Sequence, residues 1–342
     1  MADLREFDPY DEDLDAFHPS VYRAPERQRP RARRRKRSTE VARERGALTD
    51  RVGLREGGDM TYCPGPFERD WLGSSLLDFF EEDLIVDVLA QVKGGKEATV
   101  YRCATGPALE QEFVAAKVYR PRQFRNLAND QLYRAGRPTL AADGREFTKH
   151  DERVMRALAK RTGFGVQVQH TSWLMHEFST METLSHAGVD VPEPIAATDN
   201  AILMTYLGDE HTAAPTLREV RLERGTARAA FRRVEENIAL MLTWGVIHGD
   251  LSAYNILWWE DEPTIIDFPQ VVHPGENDAA LEIFARDVQR VCEYFAHQGV
   301  ETEPERITAK LWQRHVPEDA IDRAAEASRH LVPLEEEAVE DE

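Results

Sequence analysis

Residues 246–270, VIHGDLSAYNILWWEDEPTIIDFPQ, constrain this chain more than any other stretch. Two short runs, ILWW and PTIID, read as strands around an acidic turn, and a polar loop leads directly into them. Helical patterns bracket the unit. Before it, over about 226–244, Phe231, Val234, Ile238 and Leu242 recur at spacings of three and four, and Gly245 can cap the end. After it, over about 278–297, Leu281, Phe284, Val288, Val291 and Phe295 mark one face, with Cys292 beside it in the core.

The polar loop carries chemistry. Asp250 and Asn255 stand five residues apart, and Asp267 closes the second strand twelve residues on. Phosphoryl transfer needs a carboxylate near the attacking hydroxyl and hard oxygen ligands for a divalent cation. Asp250 suits the first task as catalytic base. Asn255 offers a neutral oxygen and Asp267 an anionic one, a set that favours Mg²⁺ or Mn²⁺ over zinc. His248, taken alone, reads as a packed and hydrogen-bonded histidine.

Upstream, DLIVDVLAQV, ATVYRC and FVAAKVY read as three strands over 83–119. Between the first two lies VKGGKEATVY, which can fold over nucleotide phosphates or simply close a hairpin. It is not a Walker A loop, since GK is followed by Glu97. Lys117 sits among apolar neighbours on the third strand and needs an anionic partner. Glu177 is the candidate, with Glu182 as its rival. Residues 120–145 read as a long mobile loop. Helices are expected near 146–162 and 172–187, and short strands near 195–206.

The chain has 342 residues and a net charge of -19, with 62 acidic against 43 basic side chains. That balance argues against a generic nucleic-acid coat, although local basic patches stay open. One is present: residues 23–45 carry eleven Arg or Lys behind an acidic start. Such composition predicts disorder over the first 45 residues or so, with folding from about Trp71. The arm reads either as an RNA-binding or intramolecular arm, or as a solvated tail pairing loosely with the acidic stretch before it. Cys63, Cys103 and Cys292 show no metal or disulfide spacing, which predicts reduced thiols. The opening residues do not read as a signal peptide, and no run suits a membrane span. A cytoplasmic protein is expected.

Taken together, these motifs resemble the RIO family of atypical serine/threonine protein kinases over about residues 83–300. HGDLSAYN resembles the family's catalytic loop, IIDFPQ its metal loop, GGKEATVY its short phosphate loop and AAKVYR its nucleotide-lysine strand. The stretch from Trp173 to Pro194 resembles the glutamate-bearing helix and its exit. The loop after Lys117 and the LSAYN wording resemble the first RIO subfamily, whereas IDFPQ is worded more like the second.

The resemblance implies an α+β, bilobal protein-kinase-like fold that lacks activation and substrate-docking segments. Its expected parts are tails at 1–70 and 333–342, a strand-rich N-lobe at 71–207 and a helical C-lobe at 208–332. It implies that Val92, Lys93, Gly94, Gly95, Lys96, Glu97 and Val100 surround ATP, with Lys117 and Glu177 at its phosphates. The adenine contacts would fall at Thr205 and Leu207, behind Met204. It further implies an ATPase cycle through phosphorylation of Asp267, and a pre-ribosomal particle as partner. Two other readings share such a site: a small-molecule phosphotransferase of the aminoglycoside or choline kinase type, and an ATP-gated binding protein.

Overall fold

The computed structural model describes residues 22–23, 60–95, 97–120 and 138–317. The expected acidic tail, Lys96, nearly all of the basic arm and most of the expected 120–145 loop lie outside the described residues. At the start of the arm, the backbone of Tyr22–Arg23 forms a two-residue strand, where the composition had suggested disorder. The described residues fall into two compact units. The first takes those before 121 with Pro138–Glu182 and Glu193–Glu210, and the second takes Thr183–Pro192 and residues 211–317.

The first unit is built on a six-stranded antiparallel sheet. Its strands are β1 (Tyr22–Arg23), β2 (Ile85–Gly94), β3 (Ala98–Thr105), β4 (Phe113–Tyr119), β5 (Pro194–Ala197) and β6 (Ala201–Thr205), in the order β1-β5-β6-β4-β3-β2. Side chains on a strand alternate faces. On β4, Val114, Ala116 and Val118 therefore join one core with Leu72, Leu76 and Phe79 of helix α1 (Pro66–Glu81). Lys117 and Tyr119 emerge on the other face. There Tyr119 packs with Leu174, Met175 and Phe178 of helix α3 (Gly163–His186).

Helix α1 begins five residues before Trp71, where folding was expected to start. Pro66 suits a first helical position. Glu68 accepts the Gly65 N–H at 3.2 Å and the hydroxyls of Tyr62 and Tyr101. Helix α2 (Glu152–Lys160) ends at Arg161, which is in the left-handed region at φ 52°. Helix α3 then starts at Gly163, well before the expected 172. Thr162 makes that early start workable: its Oγ1 accepts the Gly165 N–H at 3.2 Å and caps a glycine-bearing first turn.

The second unit is helical around a β-hairpin. Helix α4 (Arg224–Thr243) and helix α5 (Ala280–His297) flank strands β7 (Ile256–Trp259) and β8 (Glu262–Ile265). The apolar stripe read on α4 is buried throughout, and Gly245 follows the helix at φ 69°. On α5 the stripe is shifted: Ile283 is fully inside, whereas Leu281 is only half-buried. A further helix, α6 (Pro304–His315), was not read from the sequence; its Trp312 ring lies 5.8 Å from Phe284. Cys292 is buried in this core, and burial pushes its thiol up to about 11, which suits an inert side chain. Among the described residues no helix is long and apolar enough to cross a membrane.

Candidate active site

Strand register places the first group of site residues. Val100 pairs with Lys117 across β3 and β4, so both side chains share the α3 face of the sheet. Lys117 Nζ meets Glu177 Oε1 at 2.5 Å, and the Glu177 side chain is only 1% exposed. A carboxylate that deeply buried needs more than one donor. Tyr119 supplies another: its hydroxyl also donates to Glu177, and its ring stands edge-on to Trp173 at 5.0 Å. Tyr119 was missed in the sequence, although its place two residues after Lys117 puts it on the same face. Glu182, the rival partner, is buried further along α3.

The glycine-bearing turn joins β2 and β3. Lys93 pairs with Val100 and Gly94 with Thr99, and the Gly95 N–H donates to the Ala98 carbonyl at 2.9 Å. Val92, Lys93, Gly94 and Gly95 are exposed, while Glu97 is half-buried and accepts the Arg120 N–H through its carbonyl. At the far end of β6, Met204 pairs with Ala115 and Pro194. Thr205 exchanges hydrogen bonds with Glu193: its N–H donates to the Glu193 carbonyl at 2.9 Å, and its Oγ1 accepts the Glu193 N–H at 3.0 Å. Leu207 follows, half-buried. Arg102 braces this segment. Its guanidinium lies 5.2 Å from the Phe113 ring and 5.9 Å from the Tyr206 ring, and donates to the carbonyls of Asp209 and Glu210.

In the second unit, hydrogen bonds zip the Asp250 loop to the Asp267 loop. Ile247 and Val272 exchange backbone bonds at 2.9 Å. His248, buried at 2%, donates from Nε2 to the Ile266 carbonyl at 3.0 Å, while its Nδ1 accepts the Asp250 N–H at 3.2 Å. These two partners assign a neutral ring with its proton on Nε2. The Ile266 N–H donates to the Asn255 carbonyl at 3.0 Å, which sets Asp267 next to Asn255 along the paired backbones. Asp267 itself has φ 74°, a left-handed conformation rare for a residue other than glycine. Such outliers cluster at functional sites.

Asn255 gives its Nδ2 to the Asp250 carbonyl at 2.9 Å and lies 3.4 Å from Asp250 Oδ2. Its amide nitrogen thus faces Asp250, and its amide oxygen remains as a hard ligand. No group of three or more His, Cys, Asp or Glu able to hold a metal occurs among the described residues. The Asn255 amide oxygen and the Asp267 carboxylate are the hard oxygen donors here that would suit a divalent cation. Asn255 and Asp267 would be its protein ligands.

Helix α5 supports the loop from beneath with three residues that the sequence reading did not single out. Asp287, 2% exposed, accepts the Gly249 N–H at 2.8 Å. Burial raises its carboxyl above the ordinary range, against the opposing pull of the Gly249 N–H and the Arg286 charge. Arg286 donates to the Gly249 carbonyl, and Arg290 Nη1 donates to Asp250 Oδ1 at 2.8 Å. Their spacing along one helix was the available signal, but a sequence does not tell which loop a helix face will meet.

A RIO domain family model matches residues 140–307. The RIO-type serine/threonine-protein kinase Rio1 of Haloferax volcanii is 32% identical over 221 residues, covering 63% of this chain and 66% of that protein. The protein of the same name in Thermoplasma acidophilum is 30% identical over 135 residues, covering 40% and 69% respectively. The serine/threonine-protein kinase RIO1 of Chaetomium thermophilum is 29% identical over 246 residues, 68% of this chain but only 43% of that longer protein. The chain therefore belongs to the RIO family, with the Rio1 subfamily favoured.

Proposed function

We propose that this chain is a RIO-type serine/threonine protein kinase that transfers the γ-phosphoryl group of ATP with Mg²⁺ bound. The observation that carries this reading is the hydrogen-bonded unit of Asp250, Asn255 and left-handed Asp267. Asp250 orients the acceptor hydroxyl. The acceptor oxygen bonds to the γ-phosphorus while the bond from that phosphorus to the β–γ bridging oxygen breaks. ADP leaves with that electron pair, and the hydroxyl proton passes to Asp250. A bound divalent cation supplies charge neutralisation at the phosphates. Lys117, held by Glu177 and Tyr119, contacts the phosphates. Val100 and the β2–β3 turn, from Val92 through Glu97, cover the nucleotide, and Met204, Thr205 and Leu207 line the adenine position through backbone groups.

An ATPase cycle through a phosphorylated Asp267 uses the same residues, and a pre-ribosomal particle is the partner this reading favours. The eleven basic residues of 23–45 suit RNA through counterion release. The test is transfer of labelled phosphate from ATP in the presence of Mg²⁺, to the protein itself, to a generic protein substrate, and to aminoglycosides and choline. Label on Ser or Thr that disappears in Asp250→Ala supports the reading. Label arriving only on aminoglycosides or choline would replace it with the small-molecule alternative.

A further inference from the structure

Arg290 holds an unusual position for a residue beside a catalytic carboxylate. Its Nη1 reaches Asp250 Oδ1 at 2.8 Å, on the opposite oxygen from Asn255 Nδ2. That is its one hydrogen bond among the described residues, so most of its five N–H donors are uncommitted. The two side chains are 39% and 42% exposed. An ion pair so exposed and held by one bond is weak and readily exchanged. Arg286, one turn earlier, differs: it is tied to the Gly249 carbonyl and to Asp287.

The surroundings sharpen the point. Residues 246–285 contain eight Asp or Glu and no Lys or Arg. The loop therefore brings no cation of its own, and the guanidinium at Asp250 must come from α5. A second exposed arginine reaches this loop from the short 3-10 helix Leu217–Glu219: Arg218 Nε donates to the Tyr254 hydroxyl at 3.2 Å, and its backbone N–H donates to the Ala253 carbonyl at 3.0 Å. Tyr254 is itself 59% exposed. Two arginines, Arg290 and Arg218, thus contact the segment from Asp250 to Tyr254.

We propose that Arg290 is a specificity-determining residue that selects peptide acceptors carrying an anionic group beside the phosphorylated Ser or Thr. The inference rests on the kinase reading above. A carboxylate or phosphate on the acceptor engages the guanidinium with two parallel bonds, a stronger arrangement than the single bond to Asp250. Arg290 then turns from Asp250 to the acceptor, which leaves Oδ1 to the acceptor hydroxyl. A neutral acceptor must compete with Arg290 for that oxygen. The net charge of -19 does not oppose this, because distant charges are screened beyond roughly 8 Å at physiological salt.

The experiment compares kcat/KM for four peptides that share one acceptor serine and differ in its neighbour: Glu, phosphoserine, Gln or Lys. The full chain is assayed as wild type, Arg290→Gln and Arg290→Lys, with melting temperatures to show that each variant folds. Wild type should favour the Glu and phosphoserine peptides over the Gln peptide by about tenfold or more. Arg290→Gln should bring those ratios close to one. Arg290→Lys should keep part of the Glu preference and lose more of the phosphoserine preference, because an ammonium cannot form the two-bond fork. Wild type indifferent to the neighbour, or equal ratios in wild type and Arg290→Gln, overturns the inference while leaving the kinase reading intact. If Arg290→Gln does not fold, the same comparison with Arg290→Lys decides. No transfer to any acceptor, the protein itself included, overturns both.

Discussion

Gly249 lies directly against the carbonyl of Gln270: a Cβ at this position would stand 2.1 Å from that oxygen. The contact joins the residue before Asp250 to the loop that follows Asp267. Gly249 also has φ 82°, which side-chain-bearing residues rarely adopt. Close approach and backbone conformation thus demand glycine independently. Gly249→Ala should cost about 1–3 kcal/mol from the backbone alone and move Asp250 away from Asn255. Phosphate transfer should fall at least about a hundredfold, since small misplacements of catalytic groups are that damaging. Chemical denaturation and a transfer assay on the same preparation check this. Near-normal activity in Gly249→Ala would mean that the two loops do not work in this arrangement.

The Lys117–Glu177 pair predicts a separation of stability from nucleotide binding. Lys117→Met strands a buried carboxylate with the Tyr119 hydroxyl still donating to it. Breaking a buried ion pair on one side costs roughly 3–5 kcal/mol. Adding Glu177→Gln should restore much of that stability without restoring ATP affinity, because the cation for the phosphates is still missing. Tyr119→Phe should cost about 1–2 kcal/mol and weaken ATP binding mildly, through a less fixed Glu177. Denaturation curves alongside ATP titrations read both quantities. Recovery of ATP binding in the double variant would remove Lys117 from the nucleotide.

On the roles proposed above, Asp250 and Asp267 should fail in different ways. Asp250→Ala removes the group that orients the acceptor, so transfer should drop by about 10²–10⁴ with ATP affinity nearly unchanged. Asp267→Ala removes a charged metal ligand, so the Mg²⁺ concentration for half-maximal ATP binding should rise. Titrating Mg²⁺ against a nucleotide-binding signal separates the two. Equal loss of binding in both variants would contradict the division of roles.

Much of the fold and of the candidate site is legible in the sequence, because the informative residues are close along the chain. Asp250, Asn255 and Asp267 fall within one loop–hairpin unit, and the β-branched runs around Lys117 announce their strands. What stayed hidden depended on long-range packing. Tyr119 becomes informative only once α3 is laid on its face of the sheet, and Arg290 only once α5 is placed under the catalytic loop. Helix α3 extends back past the expected 172 to Gly163, through two glycines that disfavour a helix, because Thr162 caps its first turn. Leu281 was assigned to the inner stripe because apolar spacing cannot show where a helix rotates away from its core.

The last prediction concerns pH and lies away from the catalytic loops. Asp199, on the turn between β5 and β6, has its carboxyl raised to about 6, by burial first and by the neighbouring Asp78 charge second. Its Oδ1 is buried with no hydrogen-bond partner among the described residues. A raised acid holds its proton more tightly in the folded chain than in the unfolded one. The stability it contributes is therefore complete below the unfolded value of 3.8 and is lost as pH climbs through about 6. At neutral pH the folded chain carries the cost of a charged, buried Asp199. Asp199→Asn removes the titrating charge, so it should stabilise the protein at pH 7–8 by about 2–3 kcal/mol at most. The gain should shrink through the window between about 6 and 3.8 and be absent near pH 4. Asp78→Asn should recover part of the same gain, because it removes only the second cause. Melting curves of the three proteins from pH 4 to 8 test this, and a gain from Asp199→Asn that does not vary with pH would show that its charge is not the source.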